Sequence, residues 1–322
     1  MKPEVVFRVD AGEGIGLGHL RRCLALAQAL KREGAEITLA TQRPREISGF
    51  VKGRYPVVTI PKQGLGREPA WFQKKWKHRA PGLLITDRYE LTPAYFKALR
   101  RFIPAVVMID DEARLASFPV DGIINYNVHA LTLPYQKAHA RLWLGPRYAL
   151  IHDDFLKWRR KKTSAKACRK LLVSLGGFAP QKASDKVECA LHFLRQSRRL
   201  DLVRLAGKKG SVAGLMAAAD MALSAGGVTS YELACLGIPS VLVIRARNQE
   251  PIARKFAAYG AAVNAGWLDR LSAARLSSEI EKLMADGKKR ARLARKARFL
   301  VDGKGAQRLA RELMTTYFRR KK

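Results

Sequence analysis

Phe7-Arg-Val-Asp-Ala-Gly-Glu-Gly-Ile-Gly-Leu-Gly-His-Leu-Arg-Arg-Cys23 is the stretch on which the fold turns. The apolar run at 4–10 predicts a strand, and the apolar periodicity at 18–33 predicts a helix. Between them Gly12, Gly14, Gly16 and Gly18 let the backbone turn sharply and approach a ligand closely, while the new helix offers its first N–H groups to an anion. His19 then falls where a phosphate-bearing ligand would lie. An imidazole exchanges a proton near neutral pH, which a purely structural glycine loop does not need.

Beyond this stretch, short β-rich runs at 36–41, 56–60, 82–87 and 104–110 and a helical pattern at 92–102 continue the alternation. That is the rhythm of a parallel sheet with crossover helices. After Gly145-Pro-Arg-Tyr-Ala149 comes a basic polar segment, 157–166, and then a fresh strand, Leu171 to Leu175, followed by Gly176-Gly177 and a helix near 182–197. The 322 residues therefore divide into two expected Rossmann-like domains, 1–160 and 161–322, each large enough for its own core. In the second half, Met221 to Val243 reads as strand, glycine turn, helix and a Gly-Ile-Pro turn into another strand. Gly226 and Gly227 open that helix, and Thr229 and Ser230 fall in its first turn, where hydroxyls and amides can hold a diphosphate. Glu232 sits where a carboxylate can accept from ribose hydroxyls, or simply where the helix dipole favours an acid.

Composition bounds the function. Sixty-one Lys and Arg against 27 Asp and Glu give a net charge of +34, which attracts polyanions: nucleotide phosphates, nucleic acid or acidic lipid. Charge alone does not choose among them. A hydrophobic content of 48% excludes disorder, and the apolar runs are too short to span a bilayer. Glu4, Arg8 and Asp10 interrupt what would have to be an apolar secretory signal, so a cytoplasmic protein is expected. Cys23, Cys168, Cys189 and Cys235 show no CxxC pairing and read as buried reduced thiols, and no metal site is expected. His78, His129, His139, His152 and His192 have no metal-ligand spacing and are assigned to surfaces or domain boundaries. Asp110-Asp-Glu112 reads as a solvated strand end outside the site. Asn125 and Asn127 close another short strand and offer amides to a sugar. From Lys282 onward, 15 basic residues face three acidic ones in helical patterns, read first as a solvated basic helix.

Several of these motifs, in order, resemble the bacterial UDP-sugar hydrolases of pseudaminic acid biosynthesis: the opening stretch, Gly145-Pro-Arg-Tyr-Ala-Leu150, Ser174-Leu-Gly-Gly177, Ala225 to Glu232, and Asn248-Gln249. Asp302-Gly-Lys-Gly-Ala-Gln-Arg308 is similar too, so the likeness spans nearly the whole chain. The segment Ala225 to Glu232 is also similar to the nucleotide-binding helix of the peptidoglycan N-acetylglucosaminyltransferase. The resemblance implies a GT-B type α/β fold, two Rossmann-like domains facing across a cleft. It implies cleavage of a UDP-linked diacetamido-trideoxy altro sugar to UDP and free sugar, with no cofactor. In that reading His19 is the general base toward water, and Gly16 and Gly18 leave room for sugar and water. Tyr89 and Asn248 orient the reactants, Asn127 contacts the sugar, and Gly177, Gly226, Gly227, Thr229, Ser230, Glu232 and Gln249 hold the nucleotide. Glycosyl transfer to an acceptor and non-catalytic anion binding are the alternatives. Two departures bear on the substrate. Lys182 stands where the family has a substrate-binding Asn, and a point charge cannot replace an amide's paired donor and acceptor. The connection at 207–211 is also short, which predicts a C-terminal sheet smaller than usual.

Overall fold

The computed structural model describes residues 2–159, 168–176, 181–197, 200–203, 205 and 211–318. It divides into two compact units, Met1–His152 with Lys304–Lys322, and Asp153–Gly303.

The first unit is built on seven parallel strands: β1 (Glu4–Val9), β2 (Glu36–Thr41), β3 (Val57–Thr59), β4 (Leu83–Asp87), β5 (Val106–Ile109), β6 (Gly122–Asn125) and β7 (Arg141–Leu144). Their order is β3-β2-β1-β4-β5-β6-β7. The chain leaves β1 through the glycine turn and helix Gly18–Arg32 to reach β2 on one side, while β4 pairs with β1 on the other. The order therefore reverses between β1 and β4, and ligands of open parallel sheets bind at the carboxyl ends of the strands at such a point. Burial explains the sequence pattern. β1, β4, β5 and β6 are covered on both faces, so they read as near-continuous Val, Ile and Leu rather than as alternation. Helices Pro44–Val51 and Glu68–Lys75 were not expected; each is eight residues with Pro in its first turn, too short for a clear apolar period.

The second unit carries β8 (Lys170–Ser174), β9 (Asp201–Val203), β10 (Met221–Ala225), β11 (Ser240–Ile244) and β12 (Val263–Trp267), all parallel, in the order β12-β11-β10-β8-β9. This is the flavodoxin-like winding, with its reversal between β8 and β10. Leu171, Leu223, Val241 and Val243 of the sheet pack with Leu191, Leu276, Ile280 and Leu293 from the covering helices.

The division differs from the expected 1–160 and 161–322. Helix Asp154–Arg159 belongs to the second unit: Arg159 Nη1 donates to the carbonyls of Cys235 and Val301, each at 2.8 Å. Helix Gly305–Tyr317 instead returns to the first unit. There Trp143 Nε1 donates to Glu312 Oε2 at 2.9 Å, and Gly305 lies so close to Ala149 that a Cβ would come within 2.4 Å of its carbonyl oxygen. Local sequence does not reveal this return, because it depends on a partner more than 150 residues away.

Candidate active site

The glycine ladder forms a tight hairpin. Gly12 and Gly16 bridge each other, with Gly16 N donating to Gly12 O at 2.8 Å, and Gly12, Gly14 and Gly16 have φ of +122°, +79° and +88°. A side chain at any of the three would be strained by the backbone alone. The turn is anchored from below by a buried ionic network. Arg8 donates from Nε and Nη2 to the two carboxylate oxygens of Glu68 at 2.8 and 2.7 Å, and from Nη1 to Asp10 at 2.7 Å. Asp10 also accepts from Thr41, from the Gln42 amide and from Arg88. Burial by itself would lower the Arg8 pKa, but Glu68 and Asp10 outweigh it and raise it, so the guanidinium stays charged.

Helix Gly18–Arg32 starts directly after this hairpin and turns His19, Arg22 and Cys23 inward. Arg8 is paired with Thr86 in the β1–β4 register, so Asp87, one residue on, points to the opposite face of the sheet from the Arg8 network and toward that helix. The Asp87 carboxylate, 2% exposed, meets His19 Nδ1 at 2.5 Å and accepts a fork from Arg22, Nε to Oδ2 and Nη2 to Oδ1, both at 2.6 Å. Arg22 Nη1 then donates to both oxygens of Asp111 at 2.9 Å. Asp111 accepts further from Tyr89 Oη and Asn127 Nδ2, each at 2.7 Å. The Tyr89 ring stands edge-on to His19, centroids 4.8 Å apart.

The charges follow from these contacts. Burial would raise the carboxyl pKa of Asp87, but the Arg22 guanidinium and His19 outweigh it and hold the group well below the usual carboxylate range. Asp111 is lowered in the same way, chiefly by Arg22 against burial. The Tyr89 ring is exposed, but its hydroxyl end is desolvated against Asp111, which pushes the phenol well above its ordinary value, so it stays protonated and donates. Two carboxylates thus share one guanidinium, and one negative charge is left beside the imidazole. Arg22 Nη2 also approaches His19 Nδ1, at 3.2 Å, but a carboxylate only accepts, so the shorter Asp87 contact assigns the proton to Nδ1 and leaves the ring's lone pair on Nε2.

Sequence reasoning found His19, Tyr89 and Asn127, which the structure brings into one cluster, with Gly16 and Gly18 on the turn beside it. It missed Arg22, inside the quoted opening stretch, and Asp87, the last residue of the β-rich run at 82–87. It also set aside Asp111 as solvated, which the structure corrects: Asp111 is half-buried at the centre of the network, and Asp110 is buried, accepting from Tyr135 Oη at 2.7 Å and from the amides of Glu112 and Ala113. Asn125 is likewise spent on Tyr135 and the Asn127 amide. The signal that could have found Asp87 and Asp111 is topological: both stand at carboxyl ends of neighbouring strands, β4 and β5. Two smaller expectations are corrected as well. His129 is buried rather than superficial, and Cys189 is exposed, whereas Cys23 and Cys235 are buried.

In the second unit, Gly226 and Gly227 lead from β10 into helix Val228–Leu236, which has no side-chain cap at its start. A Cβ on Gly226 would come within 2.9 Å of the Gln249 carbonyl oxygen, so the close approach of these two segments requires glycine. The Ser230 hydroxyl donates back to Gly227 O at 2.5 Å, Thr229 is half-buried and Glu232 is buried on the same helix. Gln249 braces its own loop, its Oε1 accepting from Arg245 N at 3.0 Å, beside an exposed Asn248. Lys182 is exposed on helix Gln181–Ser197, and Gly177 lies outside the described residues. Among the described residues no group of His, Cys, Asp and Glu is arranged to hold a metal ion, and no helix is long and apolar enough to cross a membrane.

No family model matches the chain. Its likeness to the crystal structure of Acinetobacter baumannii MurG covers 97% of this chain and 99% of that one, with a TM-score of 0.68 at 16% identity. The fold is that of the GT-B glycosyltransferases. The chain is 27% identical over 333 residues to the spore coat polysaccharide biosynthesis protein SpsG of Bacillus subtilis, covering 96% of this chain and 97% of the relative. It is also 24% identical over 262 residues to the pseudaminic acid cytidylyltransferase and UDP-2,4-diacetamido-2,4,6-trideoxy-beta-L-altropyranose hydrolase of Helicobacter pylori. That match covers 76% of this chain and 45% of the relative.

Proposed function

We propose that this chain is a nucleotide-sugar enzyme, and specifically a hydrolase that releases UDP and free sugar from a UDP-linked diacetamido-trideoxy sugar of the pseudaminic acid type. The observation that carries the reading is the Asp87–His19 pair at 2.5 Å, at the strand ends where the first sheet reverses its order. Support comes also from the GT-B fold and from the names of the two bacterial relatives, one in polysaccharide biosynthesis and one carrying this hydrolase activity.

In this mechanism a water oxygen forms a bond to the anomeric carbon as the bond from that carbon to the diphosphate oxygen breaks. The water proton passes to His19 Nε2, and UDP leaves with the bonding electron pair. The imidazolium so formed is matched by the carboxylate charge that Arg22 leaves uncompensated. Tyr89 acts as a positioning residue, since its hydroxyl is committed to Asp111 and its ring edge fixes the imidazole plane. In the second unit the turn Gly226-Gly227, the first amides of the following helix and the Thr229 and Ser230 hydroxyls receive the diphosphate, with Glu232 accepting from the ribose hydroxyls. In this reading Asn248 orients sugar or water, Lys182 offers a phosphate a point charge, and Gly177 and Gln249 complete the nucleotide contacts.

The test is incubation with the UDP-linked altro sugar, without and then with candidate acceptors, following UDP and sugar products by NMR. Release without acceptor supports hydrolysis, and release only with an acceptor supports glycosyl transfer, the reading the GT-B neighbours favour. A His19→Ala variant that hydrolyses at the wild-type rate overturns the assignment of the base.

A further inference from the structure

Helix Gly287–Leu300, Gly-Lys-Lys-Arg-Ala-Arg-Leu-Ala-Arg-Lys-Ala-Arg-Phe-Leu, is divided lengthwise. Arg290, Leu293, Ala294 and Ala297 are buried against the second unit. At 100° per residue, Lys288, Arg292, Arg295, Lys296 and Phe299 fall within one arc of roughly 100° on the opposite side. All five are exposed, and Phe299 is 92% exposed, the most exposed large apolar side chain among the described residues. None of the four cations forms an ion pair with a described carboxylate. The Lys296 stem lies over Gly260, where a Cβ would come within 3.1 Å of its Cδ, so the neighbouring Tyr259, 49% exposed, borders the same strip.

We propose that this strip docks the protein on the surface of an anionic bilayer, the four cations meeting lipid phosphates while Phe299 enters the headgroup layer and Tyr259 lies at its edge. A convex helix face of uncompensated Lys and Arg ending in an apolar ring matches a plane that is negative outside and apolar beneath. Nucleic acid fits less well. The strip's Arg and Lys match guanine edges alone, with no Asn or Gln beside them to read adenine, and a single strand is tracked by a groove, which a convex helix face does not provide. An aromatic in contact with phosphates alone would gain nothing. The proposal is independent of the reaction assigned above.

The experiment is co-sedimentation of the full chain with vesicles of phosphatidylcholine, alone or with about 30 mol % phosphatidylglycerol, at low and high salt. Wild type is expected to bind only the anionic vesicles, and more weakly at high salt. Phe299→Ala should weaken binding about tenfold without changing net charge. Arg292→Gln, Arg295→Gln and Lys296→Gln together should weaken it about a hundredfold. An equal charge loss at Lys62, Lys74 and Lys97, exposed in the first unit, should change it by less than about threefold. Every position is on the surface, and circular dichroism verifies folding of each variant. The proposal fails if Phe299→Ala binds anionic vesicles as wild type does, or if the two triple variants lose affinity equally. It fails also if Phe299→Ala and the helix triple variant impair binding to single-stranded polyuridylate but not to vesicles.

Discussion

Asp87→Asn removes one charge and keeps the shape of the side chain, so it isolates what the carboxylate does. Asp87 accepts from His19 Nδ1, twice from Arg22 and weakly from the Cys23 thiol at 3.4 Å. An amide has one acceptor oxygen and an NH2 group, so in either orientation it turns a donor toward a donor. If the NH2 faces Oδ1's place, it pushes His19 into the Nε2–H tautomer and confronts Arg22 Nη2. In the other orientation it confronts Arg22 Nε. Loss of a buried pair's partner costs about 3–5 kcal/mol. Arg22 keeps its two bonds to Asp111, so the stability loss should lie nearer 2–3 kcal/mol. Activity should suffer more. A base held in the wrong tautomer loses about a thousand- to ten-thousandfold in kcat, or roughly 4–5.5 kcal/mol of barrier, with KM little changed. Two assays separate these effects: UDP release under saturating substrate, and nitrogen-15 NMR of the histidine ring, which reports the tautomer without any substrate. An Asp87→Asn variant that keeps Nδ1–H on His19 and turns over within about tenfold of wild type overturns the role given to the carboxylate.

Arg22→Lys should lower kcat about ten- to a hundredfold, because an ammonium cannot fork to Asp87 and reach Asp111 together; the same UDP assay measures it. Asp87 and Asp111 both have folded pKa values below the unfolded value of about 3.9. The stability they confer is therefore complete above that value and is lost as pH falls through it toward the folded values. Melting temperatures should drop on acidification below about pH 4, and less steeply in Asp111→Asn than in wild type. Gly305→Ala places a Cβ against the Ala149 backbone, which cannot yield as a flexible side chain would. Chemical denaturation should show a loss of about 1–3 kcal/mol, with Trp143, normally 1% exposed, becoming accessible to fluorescence quenchers.

Much of the fold was legible because parallel strands buried on both faces must be continuous apolar runs, and helices between them must be amphipathic. β1, β2, β4 and β5 fall within a residue or two of their expected bounds. The same local logic located the glycine turns, since positive φ at Gly12, Gly14 and Gly16 demands glycine whatever the surroundings. It failed for the short Pro-led helices and for the boundary near residue 160, where no periodic signal marks which core a helix joins.

Local sequence carries His19 to a strand end through a strand, a glycine turn and a helix, and marks Gly226-Gly227 as the opening of a second such helix. What His19 meets there depends on which strands pair. Asp87 and Asp111 lie 68 and 92 positions further along and look locally like ordinary polar strand ends. They become a charge network because pairing β1 with β4 and β4 with β5 sets their carboxyl ends side by side, and Arg22, one helical turn from His19, reaches both. The return of helix Gly305–Tyr317 to the first unit was settled in the same way. Its anchor is a backbone approach that a chain of letters does not display, because the distance between Gly305 and Ala149 exists only after both have folded.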